Sequence, residues 1–175
     1  MKPYHAAAIA LLLAVVSAPA LADTEIAFTL PSGVKVKIIE ATFDKTLFKV
    51  LGCTESSPLC FINGHLPFGV AFGLPETYVK SISVSYRNQS YLLDVSDMYN
   101  AWNGRPLEYK GSIRYFGGRC FNTKDCQFRG LFSDGAGSFV AEWRIVNGMP
   151  IRTVLTDSDD IISLFMKNID PPEYD

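Results

Sequence analysis

Apolar and polar residues alternate along most of the chain after residue 23, which is the period of β-strands with one buried face. Segments 26–30 and 34–38 alternate on either side of a Pro-Ser-Gly turn and predict an opening hairpin. Segments 82–86 and 91–93 flank a polar turn and predict a second hairpin. The stretch from 61 to 78 is apolar but broken by Gly and Pro, and it predicts strand fragments joined by tight turns.

The last third of the chain predicts a three-strand antiparallel meander. Its strands are expected near 128–132, 139–146 and 151–155, with Asn147-Gly148 as a two-residue hairpin turn. In the central strand, alternate residues are apolar and are expected to face the core: Phe139, Ala141, Trp143 and Ile145. The residues between them, 140, 142, 144 and 146, are expected to face solvent.

Two segments depart from the strand period and predict short helices. Val95, Met98, Tyr99 and Trp102 have the i, i+3, i+4, i+7 spacing of one helix face, which predicts a helix near 96–103. The acidic run 156–160 suits a helix N-terminus, and the apolar spacing after it predicts a closing helix near 158–169. The predicted fold class is therefore α+β, predominantly antiparallel β, with two short helices.

Residues 1–22 have the pattern of a cleaved secretory signal peptide. Lys2 precedes an apolar run from Ala6 to Val16, and Ala20-Leu21-Ala22 matches a small-x-small cleavage site. The sequence thus predicts cleavage after Ala22, a periplasmic or secreted location, and one disulfide-stabilised β-rich domain over residues 23–175. No transmembrane span is expected in the mature chain, because no later apolar stretch is long enough.

The four cysteines predict two disulfides in an exported chain. Three pairings can be drawn, and the local one, Cys53–Cys60 with Cys120–Cys126, is favoured because each pair brackets a short polar segment. The spacings do not fit zinc ligands, which are two to four residues apart within a pair. No metal site and no cofactor is predicted.

Composition and charge exclude several classes of protein. The chain has 175 residues, 48% of them hydrophobic, and this is too apolar for a disordered chain. Its formal net charge of −2 argues against a nucleic-acid-binding protein.

Residues suited to catalysis are few. His65 is the only histidine after residue 22, and no GxSxG motif accompanies it. The carboxylates considered for hydrolysis are Glu108, Asp134 and Glu142. We expect Glu142 to face solvent and to pair with Arg152 on the neighbouring strand.

Segment 102–119 is the candidate binding region, because it combines three Arg with four aromatic residues and four Gly. Tyr, Trp and Arg dominate the energetics of protein interfaces, since they combine large contact areas with directed hydrogen bonds. The alternative is an ordinary strand near 112–116 with solvated arginines. The candidate binding residues are Trp102, Arg105, Tyr109, Arg114, Tyr115 and Arg119.

These features lead us to expect an exported, non-enzymatic protein-binding module. Its expected role is that of an inhibitor or immunity protein that blocks a periplasmic enzyme or toxin by inserting a loop into it. One alternative is an envelope protein that binds a glycan or peptide, or that assists assembly. A carboxylate-based hydrolase is the other alternative.

Overall fold

The computed structural model describes residues 23–54, 57–101, 115–133 and 135–170. These residues form ten strands, one α-helix, α1 (Asp159–Lys167), and two 3-10 turns at Lys45–Leu47 and Gly135–Gly137. The strands are β1 (Thr24–Thr29), β2 (Lys35–Thr42), β3 (Val50–Thr54), β4 (Ser57–Ile62), β5 (Thr77–Tyr86), β6 (Gln89–Leu93), β7 (Phe116–Cys120), β8 (Cys126–Phe132), β9 (Phe139–Val146) and β10 (Met149–Thr156).

The strands form two four-stranded antiparallel sheets and a separate hairpin. The first sheet has the order β1-β2-β5-β6, and the second has the order β10-β9-β8-β7. Strands β3 and β4 form a separate two-stranded sheet. The predicted hairpins β1–β2 and β5–β6 are both present. At the β9–β10 turn, Asn147 and Gly148 both have positive φ, as a two-residue hairpin turn requires.

The inner faces of the two sheets share one hydrophobic core. Trp143 is fully buried in it, and its indole Nε1 donates a hydrogen bond to the Asp94 carbonyl oxygen at 2.7 Å, just after the end of β6. The alternating apolar residues of β9 therefore face the core as predicted. The core includes Ile26, Phe28, Val36, Ile38, Ile82 and Val84 from the first sheet, and Phe116, Phe128, Phe132, Phe139, Trp143 and Ile145 from the second.

Helix α1 covers the other face of the second sheet, so the prediction that this face meets solvent is wrong at two positions. Phe165 of α1 packs with Leu131 and Val140, and both Val140 and Glu142 are buried. Strand β8 is consequently buried along its whole length. Only the residues beyond the helix follow the predicted pattern, since Arg144 and Val146 are exposed.

The C-terminal meander has four strands, and the prediction of three is incomplete. Strand β7 pairs with β8 ahead of the three predicted strands. The disulfide Cys120–Cys126 joins β7 to β8, with the two Cα atoms 3.9 Å apart. The second disulfide joins Cys53 to Cys60, so the structure contains the two local pairs that the spacing favours.

The predicted helix near 96–103 is wrong over residues 96–101, and residues 102 and 103 lie outside the described part. Asp97 and Asn100 have φ of 65° and 41°, which is incompatible with a right-handed helix. Met98 forms a parallel bridge with Phe68, and Tyr99 forms an antiparallel bridge with Tyr78. The apolar spacing arises because Met98 and Tyr99 are buried by neighbouring strands and loops.

The predicted signal peptide lies outside the described residues. Among the residues that are described, no helix combines the length and the apolar character needed to cross a bilayer. The two disulfides are compatible with an extracellular or periplasmic protein, because disulfides persist in oxidising compartments.

Candidate functional site

The β3–β4 hairpin carries large apolar side chains on its exposed face. Leu51 and Phe61 are direct cross-strand partners, so their side chains lie on the same face of the hairpin. Leu59 precedes Phe61 by two residues and shares that face. The opposite face is anchored in the protein, because Ile62 is fully buried and Cys60 nearly so.

The loop that follows β4 extends this exposed apolar surface. A cavity of about 230 Å³ lies between the hairpin and the loop, and Leu59, Leu66 and Phe72 contribute to its lining. We call Leu51, Leu59, Phe61, Leu66 and Phe72 the apolar patch. Their exposed fractions range from 39% to 84%, with Phe72 the most exposed. Contiguous exposed apolar surface of this kind commonly marks an interaction site.

Several contacts fix the loop beneath the patch. The backbone N–H of Phe68 donates to the Asp97 carbonyl oxygen at 3.0 Å, and the N–H of Tyr99 donates to the Phe68 carbonyl oxygen at 2.9 Å. The Phe68 ring also packs 6.2 Å from that of Phe139. Gly69 has a φ of 90° and lies against the Tyr99 carbonyl, where a Cβ atom would overlap it. The loop is therefore held against the core before any partner binds.

The hairpin is held independently by its disulfide. The Cys53–Cys60 bond joins β3 to β4, with the two Cα atoms 4.7 Å apart. Backbone hydrogen bonds close the other end, where the Asn63 N–H donates to the Lys49 carbonyl oxygen at 2.8 Å. A surface fixed in this way loses little conformational entropy on binding.

The charge beside the apolar patch is negative. Asp157 contributes to the cavity lining, and no Lys, Arg or His does so in the part of the chain that the structure describes. Asp159 and Asp160 follow in the first turn of α1. A partner surface with a basic group next to apolar side chains would match this arrangement.

Most of the predicted binding segment lies outside the described residues. Trp102, Arg105, Tyr109 and Arg114 belong to the undescribed part. Tyr115 is exposed, directly ahead of β7. Arg119 is half-buried within β7, opposite Gln127 of β8. Neither residue lines the cavity of the apolar patch.

Three residues of the apolar patch, Phe61, Leu66 and Phe72, fall in the segment 61–78 that the sequence predicts to be strand fragments, and the sequence pattern does not indicate that their side chains are exposed. The sequence does contain one signal of an exposed apolar surface. Apolar side chains lie in a segment that is broken by Gly and Pro and that directly follows a disulfide loop. Gly and Pro interrupt the strands in such a segment, and the loops between them run over the protein surface. Some of its apolar side chains are therefore expected to stay exposed.

The carboxylates considered for hydrolysis do not form a pair of acids among the described residues. Glu108 and Asp134 lie outside that part, and Glu142 is buried in an ion pair with Arg129 at 2.6 Å. The expected pairing of Glu142 with Arg152 is wrong, because Glu142 pairs with Arg129 while Arg152 contacts Asp94 at 3.3 Å.

His65 is exposed, and its Nδ1 lies 3.0 Å from Asp97 Oδ2. This pair connects the loop after β4 to the segment that follows β6. In the described ranges, no group of three or more His, Cys, Asp or Glu residues is placed to hold a metal ion.

The chain was also compared with known proteins. No protein-family model, curated protein or solved structure matches it.

Proposed function

We propose that this chain is an exported, non-enzymatic protein-binding module that docks through the apolar patch. The observation that carries the proposal is the exposure of five large apolar side chains. Three of them lie on a hairpin clamped by a disulfide and two on the loop that follows it, and Leu59, Leu66 and Phe72 line one cavity. Keeping such a surface in water is unfavourable, and burying it against a partner releases that cost. Export is supported by the signal-peptide pattern of residues 1–22 and by the disulfides.

The proposed partner is an enzyme or toxin that is inhibited when the patch covers its active-site cleft. Fixed loops suit inhibition, because a loop that is already ordered blocks a cleft without a large entropic cost. The acidic groups at residues 157, 159 and 160 favour a partner whose cleft has basic groups at its rim. The overall charge of −2 adds to this complementarity at long range.

Segment 102–119 remains a predicted second contact. Its arginines and aromatic residues would suit a different, acidic part of the same partner. This prediction is tested by the substitutions Arg105→Ala, Tyr109→Ala and Arg114→Ala. The altered chain is expected to fold normally and to bind the partner more weakly.

The experiment uses residues 23–175, immobilised with the disulfides intact and exposed to the lysate and envelope fraction of the source organism. Proteins retained by the unaltered chain are identified by mass spectrometry, and their affinity is then measured with purified components. We expect Phe72→Ser to weaken binding by about 30-fold, the effect of losing an interface hot spot. The partner's catalytic activity should fall when the unaltered chain is added.

The matched control is Phe121→Ser, because Phe121 is 60% exposed and lies in the other disulfide loop. It should leave the affinity unchanged. Equal binding by the Phe72→Ser chain would refute docking through the patch. Retention of a glycan, with no protein partner, would instead support the alternative of an envelope ligand-binding protein.

A further inference from the structure

A second cleft lies beside the segment that follows β6, and its lining includes Phe48 and Asn63, which flank the β3–β4 hairpin in the chain. Its volume is about 390 Å³, within the range of small-ligand sites. It shares no lining residue with the cavity of the apolar patch. The lining residues that matter here are Phe48, Tyr78, Leu92, Asp94, Asp97 and Tyr99.

One wall of the cleft is aromatic and tightly packed. The Phe48 ring lies edge-on to Tyr78, with centroids 5.2 Å apart, and 6.2 Å from Tyr99. Phe43 stacks behind Phe48 at 4.7 Å. The rings are therefore held in place by one another, and the faces and edges on the cleft side are available to a ligand.

Tyr99 is buried, and its hydroxyl has no hydrogen-bond partner among the described residues. The residue is only 3% exposed, yet its hydroxyl is not sealed from solvent. Tyr99 is also one of the residues that line the cleft. Burial, with a smaller contribution from the charge of Asp97, raises the pKa of Tyr99 to about 12, so the phenol stays neutral at physiological pH.

Two carboxylates contribute negative charge to the same cleft. Asp97 Oδ2 bonds to His65, while Asp97 Oδ1 has no hydrogen-bond partner in the described part of the chain. Asp94 is half-exposed. Partial burial opposes its ionisation, but hydrogen bonds from Ser96 and the charge of Arg152 lower its pKa overall. His65 and Arg152, which contact these two carboxylates, do not line the cleft, and no Lys does so among the described residues.

We propose that this cleft binds an organic ammonium group carried on an apolar stem. The carboxylate of Asp97 and the hydroxyl of Tyr99 would accept hydrogen bonds from the ammonium group, while Phe48 and Tyr78 would contact the cation and its stem. An anionic ligand is disfavoured by the two carboxylates. The ammonium group can belong to a free alkylamine or to a lysine side chain of a peptide. This proposal uses residues separate from the apolar patch, so either proposal can fail alone.

The test titrates residues 23–175 at pH 7 with n-pentylamine, Nα-acetyl-lysine amide and 1-pentanol, and follows backbone amide resonances by NMR. Saturable shifts centred on residues 94–99 are expected with the amines, and 1-pentanol should bind at least about tenfold more weakly. Tighter binding of the lysine derivative identifies a peptide source, and tighter binding of pentylamine identifies a free amine. Absence of saturable shifts, or equal binding of 1-pentanol, overturns the proposal.

Two variants test the named groups. Tyr99→Phe removes only the hydroxyl, and Asp97→Asn keeps a residue type that tolerates the positive φ at this position. Each should weaken pentylamine binding, by about tenfold for Asp97→Asn. The matched control Asp160→Asn removes an acid on α1 and should bind normally. Unchanged binding by both cleft variants would overturn the assignment.

Discussion

The ion pair between Arg129 and Glu142 lies where α1 packs on the second sheet, and its contribution to stability can be predicted. The two residues are cross-strand partners on β8 and β9, with Arg129 Nε 2.6 Å from Glu142 Oε2 and side chains only 9% and 12% exposed. The second carboxylate oxygen accepts a hydrogen bond from Thr153 Oγ1 at 3.1 Å. Arg129 Nη1 also donates to the Asn168 carbonyl oxygen at 3.3 Å, and the guanidinium lies 4.8 Å from the centre of the Phe165 ring.

Removing one partner should be much more costly than removing both. Arg129→Met would leave the Glu142 carboxylate buried without a counter-charge, which costs about 3–5 kcal/mol. Glu142→Leu should cost a similar amount, for the same reason. In the double variant no buried charge remains. We expect it to lose only about 1–2 kcal/mol, the size of the lost hydrogen bonds to Asn168 and Thr153.

The assay is equilibrium unfolding in urea without reductant, followed by tryptophan fluorescence and circular dichroism. The free energies of unfolding of the two single variants and the double variant give the coupling energy, which should be about 4 kcal/mol or more. Arg144→Met is the matched control, because Arg144 is exposed two residues along the same face of β9. It should change stability by less than about 0.5 kcal/mol. Additive costs, or a loss below about 1 kcal/mol for Arg129→Met, would refute the reasoning.

Two further predictions concern buried polar groups. Burial raises the pKa of Glu40, partly offset by the Thr77 hydroxyl at 2.5 Å, so the folded chain holds this proton more tightly than the unfolded chain. Stability should therefore fall as the pH rises from about 4.5 through the raised pKa of Glu40. Urea unfolding of the Glu40→Gln variant should show a smaller fall over the same pH range. Identical pH dependence of the two chains would contradict this prediction. Trp143→Phe should cost about 2–3 kcal/mol, because it loses the hydrogen bond to the Asp94 carbonyl and leaves a cavity. Thermal unfolding should show a Tm lower by about 8 °C, and an unchanged Tm would rule out this contribution.

The candidate sites were much harder to predict from the sequence than the fold. Tyr115 and Arg119 were singled out by composition, but the apolar patch and the ammonium cleft involve other residues. The cleft joins Phe48, Tyr78 and Asp97, which are far apart in the chain and belong to different hairpins and loops. A local sequence pattern cannot predict that these side chains lie together, because their proximity depends on how the hairpin β3–β4 lies against the first sheet.

Local information sufficed for the hairpins, the two disulfide pairs and the closing helix. Strand alternation, turn residues and cysteine spacing act over a few residues, and their energetic effects do not depend on distant parts of the chain. The Asn147-Gly148 turn is an example, since it needs only two residues with positive φ. Helix α1 likewise follows from the acidic residues at its start and the apolar spacing within it.

Tertiary structure decided the burial and the backbone conformation of residues whose neighbours come from distant segments of the chain. Glu142 occupies a strand position that alternation assigns to solvent, but it is buried and paired with Arg129, on the face of the sheet where α1 packs. Tyr99 and Met98 have helical spacing, but pairing with Tyr78 and Phe68 holds them in a non-helical segment. In both cases the burial of apolar surface and the satisfaction of backbone hydrogen bonds by distant partners outweigh the local preference.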